Sequence, residues 1–280
     1  MTIYNPRQFN RMFHYIHKTI SKFIQKLSTD SKKDSVQTFE KPDYKTISIF
    51  IIVAFSVVMV RYLGDLTFLV TSIEGFGLNS FACILKELFF ASDNASLFRL
   101  SWWAICIIIF YFLIPFSVLK FIWKEKVSDY GMKLKGAFKH YKVYFIMLVI
   151  MVPLVLFFST TKSFQLRYPF YKPLASESLF PKFIIWESFY FLQFIAVEFF
   201  FRGFMVHGLK RVFGFYSVFI MMVPYCMVHF GKPMPETIAA IFAGIILGFL
   251  SLKSKSIYLG IAIHYSVAIS MDLLALQYLR

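Results

Sequence analysis

Apolar runs long enough to cross a bilayer recur along this chain, and they restrict it to one kind of solvent. A hydrocarbon core about 30 Å thick needs roughly 20 apolar residues of helix. We read spans at Thr46–Val60, Leu100–Leu119, Val143–Ser159, Phe183–Leu209, Tyr216–His229, Thr237–Leu252 and Ile257–Leu276. Backbone groups in lipid must be satisfied internally, so spanning segments are helices or closed barrels. Barrel strands alternate apolar and polar residues; these runs are continuous. The expectation is an all-α polytopic transmembrane bundle of about seven spans. The segment Asp65–Phe90 would make eight if it also crosses. It is apolar but interrupted by Gly75, Gly77 and Asn79, so interfacial and re-entrant arrangements remain open for it. Tyr216–His229 is short and contains Pro224, which predicts a kink or a broken helix.

Composition agrees: 58% of the 280 residues are hydrophobic and 37 are Phe, far from a soluble domain of this length. The net charge of +15 could suit nucleic acid, but the basic residues gather between apolar runs, as the positive-inside rule expects. Nucleic acid is therefore excluded as a partner. Nine Lys and Arg fall in residues 1–45, seven Lys between Lys120 and Lys142, and Lys210, Arg211, Lys253 and Lys255 mark two further loops. With seven spans all four groups share the cytoplasmic side, the N-terminus lies inside and the C-terminus outside. The expected location is the cytoplasmic membrane.

Phe9, Phe13, Ile16, Ile20, Phe23 and Leu27 recur at helical spacing with Arg7, Arg11, Lys18, Lys22 and Lys26 between them. Residues 1–45 thus read as a basic amphipathic arm against membrane lipid, followed by a polar linker. Residues 46–180 read as N-terminal transmembrane helices and loops, and 181–280 as the core that carries the chemistry. Cys83, Cys106 and Cys226 are widely separated and lack metal-ligand spacing, so they read as packing residues. No internal repeat argues for a transporter.

The chemistry concentrates in ionisable residues inside the last spans, where a charge needs a partner or a polar cavity. Glu198 and Arg202 are four apart and share a helical face; His229 and His264 follow in later spans. A carboxylate beside imidazoles in a low-dielectric pocket suits general-base work. Glu187 lies about 16 Å from Glu198 along a straight helix, and Asp272 about 12 Å from His264. Both read more readily as interfacial residues than as members of that cluster.

Glu198-Phe-Phe-Phe-Arg202-Gly203-Phe204 resembles the first motif of the type II CAAX prenyl endopeptidases, which belong with the Abi proteins among the CPBP intramembrane proteases. Tyr225 four before His229 resembles the second motif, with Tyr where Phe is usual. His264 resembles the third, and Ala243-Gly244-Ile-Ile-Leu-Gly248 the small-residue helix between them. The likeness spans about Phe183 to Asp272. It departs at Val197, where the family has a first Glu, and at Ala268, where it has Asn. The resemblance implies an intramembrane endopeptidase acting on a membrane-anchored protein or peptide. Glu198 would activate water, with Arg202 fixing Glu198. His229 would share the water or bind the carbonyl oxygen, and His264 would stabilise the oxyanion. No cofactor is required by this set, although a divalent metal such as zinc on His229, His264 and a carboxylate stays open. The alternative is a non-catalytic binding, immunity or assembly protein on the same scaffold, which Val197 and Ala268 favour.

Overall fold

The computed structural model describes residues 43–173 and 178–279, with Lys18 as an isolated position. The arm and linker expected over residues 1–45 lie almost wholly outside the described residues. We label the helices α1 Tyr44–Leu63, α2 Leu66–Gly75, α3 Asn79–Lys86, α4 Ala95–Ile122, α5 Ala137–Ser159, α6 Lys162–Arg167, α7 Lys182–Phe213, α8 Tyr216–Met227, α9 Met234–Ser254 and α10 Tyr258–Tyr278. No strand occurs among the described residues. Six of these helices (α1, α4, α5, α7, α9 and α10) are long and apolar enough to cross a membrane. The chain is an integral membrane protein.

The seventh expected span is α8. Its 12 residues reach only about 18 Å, too short to cross alone. The helix contains Pro224 and stops at Met227, so the predicted break falls at its end and leaves His229 in the following turn. The segment 65–90 does not make an eighth span. Asp65 caps α2 by accepting the Thr67 and Phe68 N–H groups, and the glycines then divide the rest into α2 and α3, with 10 and 8 residues.

Helix α7 is the hub. Of its most apolar window 78% is buried, against 17–44% for the other five spans. The cause is its aromatic sequence. Phe199, Phe200, Phe201 and Phe204 are all fully buried, and a π-helical stretch at Phe199–Met205 admits the extra residue per turn that lets them point around the helix. Tyr111 stacks on Phe200 at 4.3 Å, and Trp123 on Phe204 at 5.8 Å. Helix α5, by contrast, turns Phe145, Val149, Ile150 and Phe157 outward, which suits a lipid-facing wall.

The basic loops come together at one end. Lys45 meets Glu125 at 2.5 Å, and Tyr130 donates its hydroxyl to the same carboxylate. Arg211 pairs with Asp43, and the Ile257 N–H donates to the Gly131 carbonyl at 3.0 Å. Burial works against the Glu125 carboxylate, but the Lys45 ammonium and the Tyr130 hydroxyl together hold its pKa below the ordinary value.

Small residues set two close approaches. Gly244 and Gly248 of α9 face Tyr225 and Val218 of α8; a Cβ at Gly248 would lie 2.7 Å from Val218. The small-residue stripe therefore draws α8 onto α9, as its pattern implies. Gly203 packs where the Tyr130 backbone crosses α7, and a Cβ there would stand 2.7 Å from the Tyr130 carbonyl oxygen. Neither backbone can yield cheaply. Gly203→Ala is expected to cost about 1–3 kcal/mol, read as a lowered unfolding midpoint in detergent. An unchanged midpoint would show that this crossing is slack.

Candidate active site

Glu198 is the last residue before the π-helical stretch of α7. It and Arg202 are both fully buried, and Arg202 Nη1 lies 3.1 Å from Glu198 Oε1. The guanidinium also sits 3.8 Å above the Tyr225 ring, whose π face receives a desolvated cation. The same Glu198 oxygen meets His264 Nδ1 of α10 at 2.8 Å. The second oxygen, Oε2, lies against Gly260, where a Cβ would come within 2.8 Å. Glycine at 260 thus gives the carboxylate its room one turn before His264.

Both imidazoles are pinned by their Nδ1 atoms. His229 Nδ1 lies 2.8 Å from the Tyr225 carbonyl oxygen. A carbonyl only accepts, so His229 Nδ1 carries a proton, and in the neutral ring Nε2 then holds the lone pair. A carboxylate likewise only accepts, so His264 takes the same tautomer. His264 Nε2 then accepts from the Tyr225 hydroxyl, at a long 3.4 Å. Phe194 packs on the His264 ring at 4.5 Å between centroids, which fixes its plane.

Tyr225, His229 and His264 line one cavity of about 250 Å³. Its remaining wall is mostly apolar and comes from α5 (Met147, Met151), α9 (Ala239, Ala243) and α10 (Ala268, Met271). Lys232 and Glu236 also line it, paired to each other at 2.7 Å, and Tyr168 donates to Glu236 at 2.7 Å. Glu198 is not part of this wall; it stands behind His264. All four residues singled out in the sequence are therefore in one neighbourhood, but in two layers. His229 and His264 face the cavity, while Glu198 and Arg202 support His264 from within the protein. Glu198 meets His264 and not His229, because the two helices that carry them, α7 and α10, pack directly on each other.

Val197 packs on the apolar core cluster, and Ala268 presents only a methyl to the cavity. Among the described residues no three His, Cys, Asp or Glu side chains gather as a metal set would need. Glu198 already holds Arg202 and His264, and Glu236 of the cavity wall holds Lys232. The residues present do not fit the zinc arrangement left open by the sequence.

Glu187 and Asp272 are both buried inside the protein. Asp272 is fully buried and accepts from the Phe170 N–H at 3.2 Å and the Trp186 indole N–H at 3.3 Å. Glu187 is its neighbour across the α7–α10 contact and accepts from the Tyr265 hydroxyl at 3.2 Å. Their donors come from three different parts of the chain, so nothing local in the sequence announces the cluster. The sequence also understated Tyr225, noted only as a departure in an aromatic position; its hydroxyl was the available signal. Lys232 and Glu236 carried a plain i, i+4 spacing.

Residues 179–269 match the family model described as Type II CAAX prenyl endopeptidase Rce1-like. No curated protein and no solved structure matches the chain. The matched stretch contains Glu198, Arg202, Tyr225, His229 and His264. Over the third of its length that builds this buried cluster, the chain is similar to the Rce1-like type II CAAX prenyl endopeptidases.

Proposed function

We propose that the chain is an intramembrane endopeptidase in which His264 takes the proton from the attacking water. One observation carries this reading: Glu198 holds His264 Nδ1 at 2.8 Å while the opposite ring nitrogen reaches the cavity wall beside Tyr225. Water attacks the scissile carbonyl carbon and gives a proton to His264 Nε2. The carbonyl π pair moves onto oxygen. Glu198 then faces an imidazolium, which a buried carboxylate stabilises strongly. Arg202 balances Glu198 before that proton arrives. On collapse the carbon–nitrogen bond breaks and His264 returns the proton to the leaving amine. His229, with a lone pair on Nε2, accepts a hydrogen bond from the same water. It is not a donor to the carbonyl oxygen in this tautomer. These roles differ from those implied by the family resemblance, where Glu198 itself contacts water.

The apolar wall suits a substrate segment with apolar side chains or a lipid group, as the matched family's name suggests. The substrate would be a protein or peptide anchored in the same membrane. We assign the end that gathers Lys45, Lys124, Lys126, Lys210 and Lys255 to the cytoplasm, following the distribution of positive charge.

The test is cleavage in proteoliposomes. Purified protein is mixed with a pool of membrane-anchored peptides in water enriched in heavy oxygen, and new termini are read by mass spectrometry. New C-terminal carboxylates carrying one heavy oxygen are expected. No new termini across a broad pool would sink the reading in favour of a non-catalytic binding role.

A further inference from the structure

We infer that the Tyr225 hydroxyl is the oxyanion donor of this site, whose wall at Ala268 carries only a methyl. The inference rests on the endopeptidase reading above. Attack on a carbonyl makes an oxyanion, and a buried oxyanion needs a hydrogen-bond donor aimed at it. Both imidazoles are committed through Nδ1, so each shows the cavity a lone pair and no proton. Ala268 lines the cavity with no polar atom. Other donors on the wall are engaged or distant. The Tyr168 hydroxyl is bound to Glu236 and the Thr161 hydroxyl donates to the Phe158 carbonyl, while Lys232 is anchored on Glu236 at 2.7 Å through one of its three N–H donors. Tyr190 is carried two turns from Glu198 along α7, an axial backbone offset of about 12 Å.

Tyr225 has the right placement. Its ring lies between the two imidazoles, with centroids 4.7 Å from His229 and 6.2 Å from His264. The ring is held by Arg202 on one face, by Phe201 edge-on at 5.3 Å, and by the close approach of Gly244. In the resting site its O–H points at His264 Nε2 over 3.4 Å, a weak bond easily given up. Nε2 has one lone pair, so the water that binds it first displaces the Tyr225 O–H. The displaced O–H is then free to turn to the carbonyl oxygen as that oxygen becomes negative. Water binding at His264 and oxyanion binding at Tyr225 are thereby coupled through one pair of atoms. No proton leaves Tyr225; it donates a hydrogen bond throughout.

Tyr225→Phe removes one oxygen and keeps the ring that packs on Arg202 and Phe201, so the fold should stand. Wild type, Tyr225→Phe and Tyr225→Phe/Ala268→Asn are compared in liposomes on the peptide pool. Each is also titrated with a membrane-anchored peptide aldehyde, whose hydrate mimics the tetrahedral adduct, and with the matching peptide alcohol. In Tyr225→Phe, kcat should fall about 10²–10³-fold with KM little changed, and preference for the aldehyde should fall with it. The amide added at 268 should restore part of both. Undiminished kcat and aldehyde preference in Tyr225→Phe would overturn the inference, as would a wild type that does not prefer the aldehyde. A wild type that prefers the aldehyde through Tyr225, yet cuts nothing, would overturn the endopeptidase reading and leave the donor assignment standing.

Discussion

Arg202→Ala is expected to destabilise the protein by about 3–5 kcal/mol. Removing the guanidinium leaves Glu198 fully buried with His264 as its remaining side-chain partner. It also strips the cation from the Tyr225 ring, 3.8 Å away, a contact worth about 2 kcal/mol when desolvated. Arg202→Lys should not rescue it, since a compact ammonium cannot both reach the carboxylate and lie flat on the ring. The informative comparison is Glu198→Met/Arg202→Met. Burying two charges costs several kcal/mol per ion, so apolar replacement of a whole buried pair is often neutral or stabilising. The double variant should recover most of the lost stability and none of the cleavage. Denaturant unfolding in bicelles measures the first, and the peptide pool the second. If the double variant were as unstable as Arg202→Ala, the pair would be a packing element of the fold and not a support kept for the chemistry.

That division explains what the sequence could and could not reveal. The spans were legible because length and hydropathy act locally. So was the ion pair, since four residues make one helical turn and Glu198 and Arg202 meet whatever surrounds them. The departures come from contacts between helices. A straight-helix reading could not foresee that the π-helical stretch after Glu198 turns four phenylalanines into the core. It gave no reason for Glu198 to choose His264 over His229, because that choice lies in the packing of α10 on α7. Asp272 looked terminal, yet it draws the Phe170 N–H from a loop 102 residues away in sequence. The apolar run at 216–229 was visible, but its division into a short helix and a turn that presents His229 depends on α9 closing over it through Gly244 and Gly248.

His264→Ala should reduce kcat by about 10²–10⁴-fold while KM and the unfolding midpoint change far less. Its ring fills space at the cavity wall rather than in the core cluster, so the loss enlarges an existing cavity of about 250 Å³. His229→Ala should cost less in kcat, since the His229 imidazole accepts from the water without support from a carboxylate: its Nδ1 partner is the neutral Tyr225 carbonyl. Only at His264 does the forming positive charge face a buried negative one. Added imidazole makes the argument sharp. In His264→Ala the small base can occupy the vacated volume, meet Glu198 through one nitrogen and serve water with the other, and partial recovery of cleavage is expected. The same imidazole should do little for Glu198→Ala/His264→Ala, where nothing orients it. If imidazole rescues both variants equally, the base acts without its carboxylate, and the two-layer arrangement of Glu198 behind His264 is not what drives the reaction.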